Sequence, residues 1–327
     1  MIALLLFLIL LPLSLLTGSV SLSPAEVWQA LTDAGADPTA HFIVCESRLP
    51  QALTAVLSGA ALAAGGLVMQ SLFTNPLADP SLLGVNSGAS LGAAMVLLAF
   101  GGSWSLGGAS LSGVLLTVAA AFVGACGVIA LLLVCSHFLR GNLALLVAGV
   151  MLSFVLSAVI SLLSFYATAD GVRSFVVWGL GDFSGVGLSR LPLYAALIVL
   201  PLAALFPFTR SLNALLLGPH YAANLGIAVR TTRTWLLLLT GLLTATVTAL
   251  CGPISFVGLA VPHIARLHLR TADHRRLLPA TLLWGADVAL LALVLSHLPG
   301  ERGILPLAAI TPLMGVPVVI YILLKRK

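Results

Sequence analysis

The stretch PSLLGVNSGASLGAAMVLLAFGGSWSLGGASLSGVLLTVAAAFVGACGVIALLLVCSHFL, Pro80 to Leu139, runs for 60 residues between Asp79 and Arg140 without a formal charge. One helical crossing of a bilayer takes roughly 20 apolar residues, so this segment alone has room for two. The rest of the chain follows suit: of 327 residues, 60% are apolar and only 8% charged, where a soluble domain carries about 25% charged residues. Inside hydrocarbon every backbone N–H and C=O must find a partner without water, which leaves helices or a closed barrel. Apolar runs this long without strand alternation select helices. The composition therefore gives an all-α polytopic membrane protein.

Cutting the chain at its Gly, Pro, polar and charged clusters gives ten candidate spans. They are Ile2 to Val20, Gln51 to Phe73, Ser81 to Phe100, Leu111 to Phe138, Leu143 to Ala167, Leu191 to Phe208, Thr234 to Cys251, Ile254 to Leu269, Leu277 to Leu298 and Ile304 to Leu324. An even number places both termini on one side. If that side is the cytoplasm, eleven of the fifteen Lys and Arg residues lie inside and only Arg48, Arg173, Arg190 and Arg302 outside, the bias expected of a helical membrane protein. The first run, Met1 to Val20, lacks the basic start of a cleaved signal peptide and reads as the first span. Spans two to five and seven to ten enter the membrane from opposite sides, as an inverted repeat requires. In that pairing the Gly-rich third span, with Gly84, Gly88 and Gly92, corresponds to the eighth, interrupted by Gly258 and Pro262. Close packing of helices through small residues is the simpler use of these glycines.

Several functions are excluded by residue content. The only lysines sit in Lys325-Arg326-Lys327, so the chain has no phosphate-binding GxxxxGK loop. Fifteen cations spread over a membrane chain are too few for a nucleic-acid surface. The cysteines, Cys45, Cys126, Cys135 and Cys251, show no CxxC spacing, and His263 and His268, five apart, do not share a helix face, so no metal site is expected. No HExxH motif occurs, and the histidines near spans, His137, His263 and His297, lie toward span ends rather than facing each other as haem ligands. Two features remain open on composition alone. The segment 209–233, broken at Gly218-Pro219, is too interrupted to span and too apolar for a linker; it either rests on the bilayer interface or docks a partner. Asp287, the one acid in the middle of a span, is either an ion or proton site or a structural group, hydrogen-bonded inside the bundle or protonated; we read it as structural.

Three blocks carry more than hydropathy. They are RLPQALTAVLSGAALAAGGLVMQSLFTNPLADPSLLGVNSGASLG from Arg48 to Gly92, GPISFVGLAVPHIARL from Gly252 to Leu267 followed by DHRRLLPA, and LPLAAITPLMGVPVVIYIL near the C-terminus. Together, in this order and spacing, they resemble the FecCD family, the membrane permeases of ABC importers for iron-siderophore complexes, haem and cobalamin. The resemblance covers nearly the whole chain. It implies one transmembrane permease domain over residues 1–327, of type II importer architecture, in a homodimer or a dimer of close relatives in the bacterial inner membrane. A periplasmic substrate-binding protein delivers the chelate, two cytoplasmic ATPase subunits hold the ATP and magnesium, and this chain binds no cofactor and catalyses no covalent step. The pathway is then lined by the second, fifth and tenth spans.

Carried over residue by residue, the resemblance makes the segment 209–233 the coupling helix that seats on the ATPase, with Leu212, Leu216, Gly218, Ala222, Leu225 and Gly226 as its candidates. Asn75 and Leu77, in the turn Asn75-Pro76-Leu77-Ala78-Asp79-Pro80, match the inner gate, with Asn142 and Leu143 opposite; locally, Asp79 before Pro80 also reads as a helix cap. Pro262, His263 and Arg266 with Asp273, His274 and Arg275 form the cytoplasmic motif, in which His263 is a packing residue or a coupling-loop contact. Arg48 matches a basic residue that receives the binding protein's glutamates, but Gln51 and His297 stand where the family carries further arginines, leaving Arg302 and Arg173 as the nearby compensating cations. Among the family's substrates the iron chelates are the most common, and the expectation is an iron chelate, siderophore or haem, with cobalamin as the alternative. Outside the resemblance, an ion-coupled secondary transporter using Asp287 is the competing reading.

Overall fold

The computed structural model describes residues 2–33, 37–99, 104–106, 109–111, 113–139, 142–298, 300 and 303–325. Its helices are α1 Ile2–Leu16, α2 Pro24–Thr32, α3 Pro38–Leu72, α4 Val85–Ala99, α5 Gly113–Phe138, α6 Asn142–Tyr166, α7 Ala169–Gly179, α8 Leu191–Leu215, α9 Pro219–Asn224, α10 Val229–Cys251, α11 Val257–Leu269, α12 His274–Ser296 and α13 Leu307–Lys325. A small antiparallel hairpin, Trp104–Leu106 against Ala109–Leu111, lies between α4 and α5. Among the described residues six stretches, within α3, α5, α6, α8, α10 and α12, are long and apolar enough to cross a membrane, and Ile2–Leu16, Val85–Ala99 and Leu307–Tyr321 are shorter apolar helices. At about 1.5 Å per residue, the 13 residues of α11 are too short for a crossing without the chain before them.

At two helix starts that depart from the sequence expectation, a capping group explains the shift. The second span, expected from Gln51, begins at Pro38, because the Asp37 carboxylate accepts the backbone N–H groups of Thr39 and Ala40 and the helix then continues through a π-helical stretch, Phe42–Arg48, into Leu49. The helix α12 starts three residues early on an Asp273 cap. The sixth span runs on to Leu215, into the segment that composition had set apart. Two amphipathic helices outside the expected spans, α2 and α7, are capped by Ser23 with Glu26 and by Thr168.

The helix α3 is the axis of the bundle, buried on most sides and packed on α10, α11 and α12. It can be so central because it is rich in Ala, Gly and Ser. A Cβ placed on Gly59 would lie 2.1 Å from the carbonyl oxygen of Gly285 in α12, and one on Gly66 would lie 1.9 Å from that of Gly258 in α11. These are backbone-to-backbone contacts, the means by which helices associate where lipid removes any hydrophobic drive between them. The helices α4 and α5 meet in the same way at Gly92 and Ala120. Both short helices that face the centre start from left-handed residues, α4 after Gly84 (φ 89°) and α11 after Phe256 (φ 67°). For a phenylalanine that conformation is strained, and the Phe256 side chain packs over Gly315 of α13.

Gly66→Ala should lower the thermal midpoint of the purified protein, since overpacking costs about 1–3 kcal/mol and the obstacle is backbone. Gly127→Ala in α5, whose added Cβ meets nothing within 4 Å, should leave it unchanged.

Candidate functional site

The arginine-rich end of the bundle, assigned to the cytoplasm by the charge pattern, gathers the polar residues of four separate segments. After Leu72 the chain turns through Thr74 (φ 47°). The Asn75 carboxamide then accepts the N–H of Leu77 at 2.9 Å, so the polar member of the expected gate pair is held in its own turn while the Leu77 side chain faces outward. The turn folds back against the bundle: the carboxylate of Asp79 is buried, accepts the N–H of Ser81 at 2.8 Å and bonds its hydroxyl. Its other oxygen lies where a Cβ on Gly258 would sit, at the first turn of α11. Burial pushes the Asp79 carboxyl up from its ordinary range, against the opposing pull of the Ser81 hydrogen bonds.

Around this turn the motif residues of α11 and α12 close a hydrogen-bonded cluster. His263 bonds the carbonyl of Pro76 through Nε2 at 3.0 Å. Arg266 donates to Gln70 Oε1 at 2.5 Å, and the Gln70 amide donates to the Leu259 carbonyl at 3.2 Å. His274 is fully buried between Ser71 Oγ (2.6 Å from Nε2) and Asn213 Oδ1 (2.8 Å from Nδ1). Its tautomer follows from its neighbours. Asn213 presents its oxygen, because that oxygen also takes the backbone N–H of His274 at 2.8 Å while Nδ2 donates to Asp273 at 2.6 Å. The imidazole therefore carries a proton on Nδ1, and Nε2 faces the Ser71 hydroxyl, whose single proton also has the Leu67 carbonyl 2.9 Å away as an acceptor. Asp273 is held below the usual carboxylate range, first by Asn213 and then by the Arg275 N–H. A cavity of about 380 Å³ opens beside these groups, lined by Gln70, Pro76, Leu216, His263, Arg266 and His274.

The expected site residues are thus sorted. His263, Arg266, Asp273 and His274 come together; Pro262 is buried in α11, and Arg275 joins only through its backbone, its side chain exposed. In the coupling segment Leu212 and Ala222 are core residues, Leu216 and Leu225 are exposed, and Gly218 and Gly226 supply left-handed turns at either end of α9. Asn142 opens α6 and Leu143 is 73% exposed. The α6 packing that reaches the gate side runs through Gly149 against Leu83. Three members of the cluster, Gln70, Ser71 and Asn213, were absent from the sequence reading. Gln70 and Asn213 had a signal, each being a lone amide in an apolar stretch.

At the opposite end Arg48 is only 5% exposed, and its guanidinium donates to the carbonyls of Leu15, Leu16 and Val20, closing the C-terminal end of α1. Its charge is turned inward rather than presented at the surface. Gln51 donates to Ser47 Oγ at 3.3 Å, and His297 is half-buried with Nδ1 3.0 Å from the carbonyl of Leu293. Arg302 lies outside the described residues. Within α12, Asp287 is 2% exposed and neither oxygen has a hydrogen-bond partner among the described residues; of the two structural readings, a bond inside the bundle or a protonated carboxyl, the bond is not made among them. No group of three His, Cys, Asp or Glu side chains suited to a metal occurs among the described residues.

Because the folded pKa of Asp273 is depressed, its stabilisation is complete above about pH 4, the unfolded value, and is lost as pH falls through the lower folded value. The thermal midpoint of wild type should exceed that of Asp273→Asn by a constant margin at neutral pH, and the margin should shrink in acid below about pH 4.

Comparison with known proteins agrees with this geometry. The family model of the FecCD transport family matches residues 5–325. The vitamin B12 import system permease protein BtuC of Shigella boydii serotype 18 is 38% identical over 321 residues, covering 96% of this chain and 93% of that protein. The protein of the same description from Escherichia coli O157:H7 is 38% identical over 326 residues, with 98% and 93% covered. A metal-chelate type ABC transporter solved in an inward-facing conformation superimposes with a TM-score of 0.85 at 30% identity, covering 99% of this chain and 97% of that one. The chain belongs to the FecCD transport family, a permease subunit of an ABC importer whose ATP hydrolysis resides on a separate subunit.

Proposed function

We propose that this chain is the ten-span permease of a corrinoid importer, working as a dimer with two ATPase subunits and a binding protein, both termini in the cytoplasm. The observation that carries the substrate class is the 38% identity to vitamin B12 permeases over 96% of the chain. An iron chelate is the second reading, favoured by the likeness to a metal-chelate type transporter. In the ten-span reading α1, α3, α4, α5, α6, α8, α10, α11, α12 and α13 are the spans. The paired left-handed starts of α4 and α11 support the inverted repeat, as does the bond from Thr248 of α10 to Asn86 of α4, 2.8 Å long.

In this account the coupling surface is the exposed residues that follow α8 and α9, Leu216 and Leu225, while Leu212 in α8 and Ala222 in α9 hold it on the bundle. Its movement reaches α12 through Asn213 and His274, then α3 through Ser71, α11 through Gln70 and Arg266, and the gate turn through His263 and Pro76. Leu77 of one subunit and Leu143 provide the apolar surfaces that close the inner gate, with Asn75 and Asn142 beside them. The binding protein docks at the end near Gln51 and His297, where Arg48 shapes the surface by fixing the end of α1, with Arg302 as the sequence's further candidate.

Reconstituted with its ATPase and binding protein, the transporter should import cobalamin in an ATP-dependent way; saturable uptake of a ferric siderophore with none of cobalamin would replace the corrinoid by the iron reading. Uptake driven by an ion gradient without the ATPase would overturn the importer account and bring Asp287 forward. Leu225→Glu should reduce copurification of the ATPase by about tenfold, the effect of losing one buried interface anchor, without lowering the thermal midpoint of the permease.

A further inference from the structure

A second cavity at the arginine-rich end, about 430 Å³, meets the one beside His274 at Thr74 and is lined by Leu72, Ser136, Leu215, Pro219, Arg230 and Arg233 among others, none of them acidic. Arg233 Nε and Nη2 are cut off from solvent and have no hydrogen-bond partner among the described residues. A guanidinium does not escape such a position by losing its proton, and unpaired buried donors are costly, so the site is built for an anion. Val229 also lines the cavity, and Ala228 before it offers no side-chain cap to the first turn of α10, which leaves backbone N–H groups beside the same space. Two arginines with a forked donor geometry match phosphate oxygens.

We infer that this cavity binds the phosphate of an anionic phospholipid headgroup. The depth of the cavity favours a lipid over a protein carboxylate: Trp235 and Phe138, each about 3 Å along its helix from Arg233 and Ser136 and turned to other faces, are 51% and 80% exposed, aromatic residues at the headgroup level of a bilayer. The leaflet is the one that the positive-inside bias assigns to the cytoplasm, where anionic lipids attract arginine. The inference is independent of which substrate the transporter carries. A bound lipid would tie α5, α10 and the start of the coupling segment together.

The test uses the complete transporter with its ATPase subunits, delipidated in a neutral detergent and given phosphatidylglycerol, phosphatidylcholine or inorganic phosphate. Native mass spectrometry and the thermal midpoint are the readouts. Wild type should retain phosphatidylglycerol and gain thermal stability, with no response to phosphatidylcholine. Arg233→Gln should cut retention by about tenfold, as expected for the loss of charge-assisted bonds, and Arg210→Gln, an exposed arginine outside the cavity, should behave as wild type. Should Arg233→Gln fail to fold, Arg233→Lys, which keeps the charge and loses the fork, and Arg230→Gln should each weaken retention. Displacement of phosphatidylglycerol by inorganic phosphate would keep the anion site and move its source to free phosphate, overturning the lipid assignment. Equal retention in wild type and the Arg233 and Arg230 variants would overturn the site itself, and binding seen only after the ATPase is stripped would assign Arg233 to a protein carboxylate instead.

Discussion

The backbone contact between Gly66 of α3 and Gly258 of α11 sets the geometry on which the functional end of this protein depends. With no side chain between them the two helices lie close enough for Gln70, one turn further along α3, to reach the carbonyl of Leu259 and the guanidinium of Arg266. The Gly59 to Gly285 contact does the same for α12, and Ser71 then meets His274. In a bilayer such approach is stabilised by dispersion, weak Cα–H···O contacts and the hydrogen bonds it permits, since lipid offers no hydrophobic force between helices. A methyl group at Gly66 would separate the helices before the polar cluster could form.

That cluster turns an assembly of packed helices into a mechanical connection. Gln70, Ser71, His263 and His274 are buried and Asn213, Arg266 and Asp273 half-buried around them, so displacing one leaves a buried group unpaired at a cost of about 1–3 kcal/mol. A push on the end of α8 is therefore more easily met by moving α12, α3 and α11 together than by breaking Asn213 from His274. In the proposed coupling the route passes by hydrogen bonds from Asn213 through His274 to Ser71, along the α3 backbone to Gln70 and Arg266, and along α11 to His263 and Pro76, while Asp79, lying over Gly258, keeps the turn after α3 attached to α11. The opposite end is built differently: the guanidinium of Arg48 closes the end of α1.

The sequence made the membrane class and the approximate positions of the apolar helices legible, because charge and hydropathy alone decide where a chain can cross hydrocarbon. The clustering of His263, Arg266, Asp273 and His274 was legible only as a motif. Helix boundaries were missed where a polar residue read as an interruption was a cap, as at Asp37 and Asp273. Gln70, Ser71 and Asn213 could not be assigned from sequence since each acts through a partner on another helix. Arg48 shows the converse: its charge is plain in the sequence, but the three carbonyls that take it up come from a helix end more than 25 residues earlier. Asp287, whose oxygens have no partner among the described residues, shows that a polar residue in a span is not always supplied with a bond.

The central claim is that the Asn213–His274–Ser71 link transmits the ATPase stroke to the gate. The most direct measurement is the number of ATP molecules hydrolysed per substrate imported by the reconstituted transporter carrying Asn213→Ala. The account predicts a ratio at least about fivefold above wild type, in the range of allosteric coupling energies, with ATP hydrolysis retained. An unchanged ratio in a folded, ATPase-bound variant would contradict it.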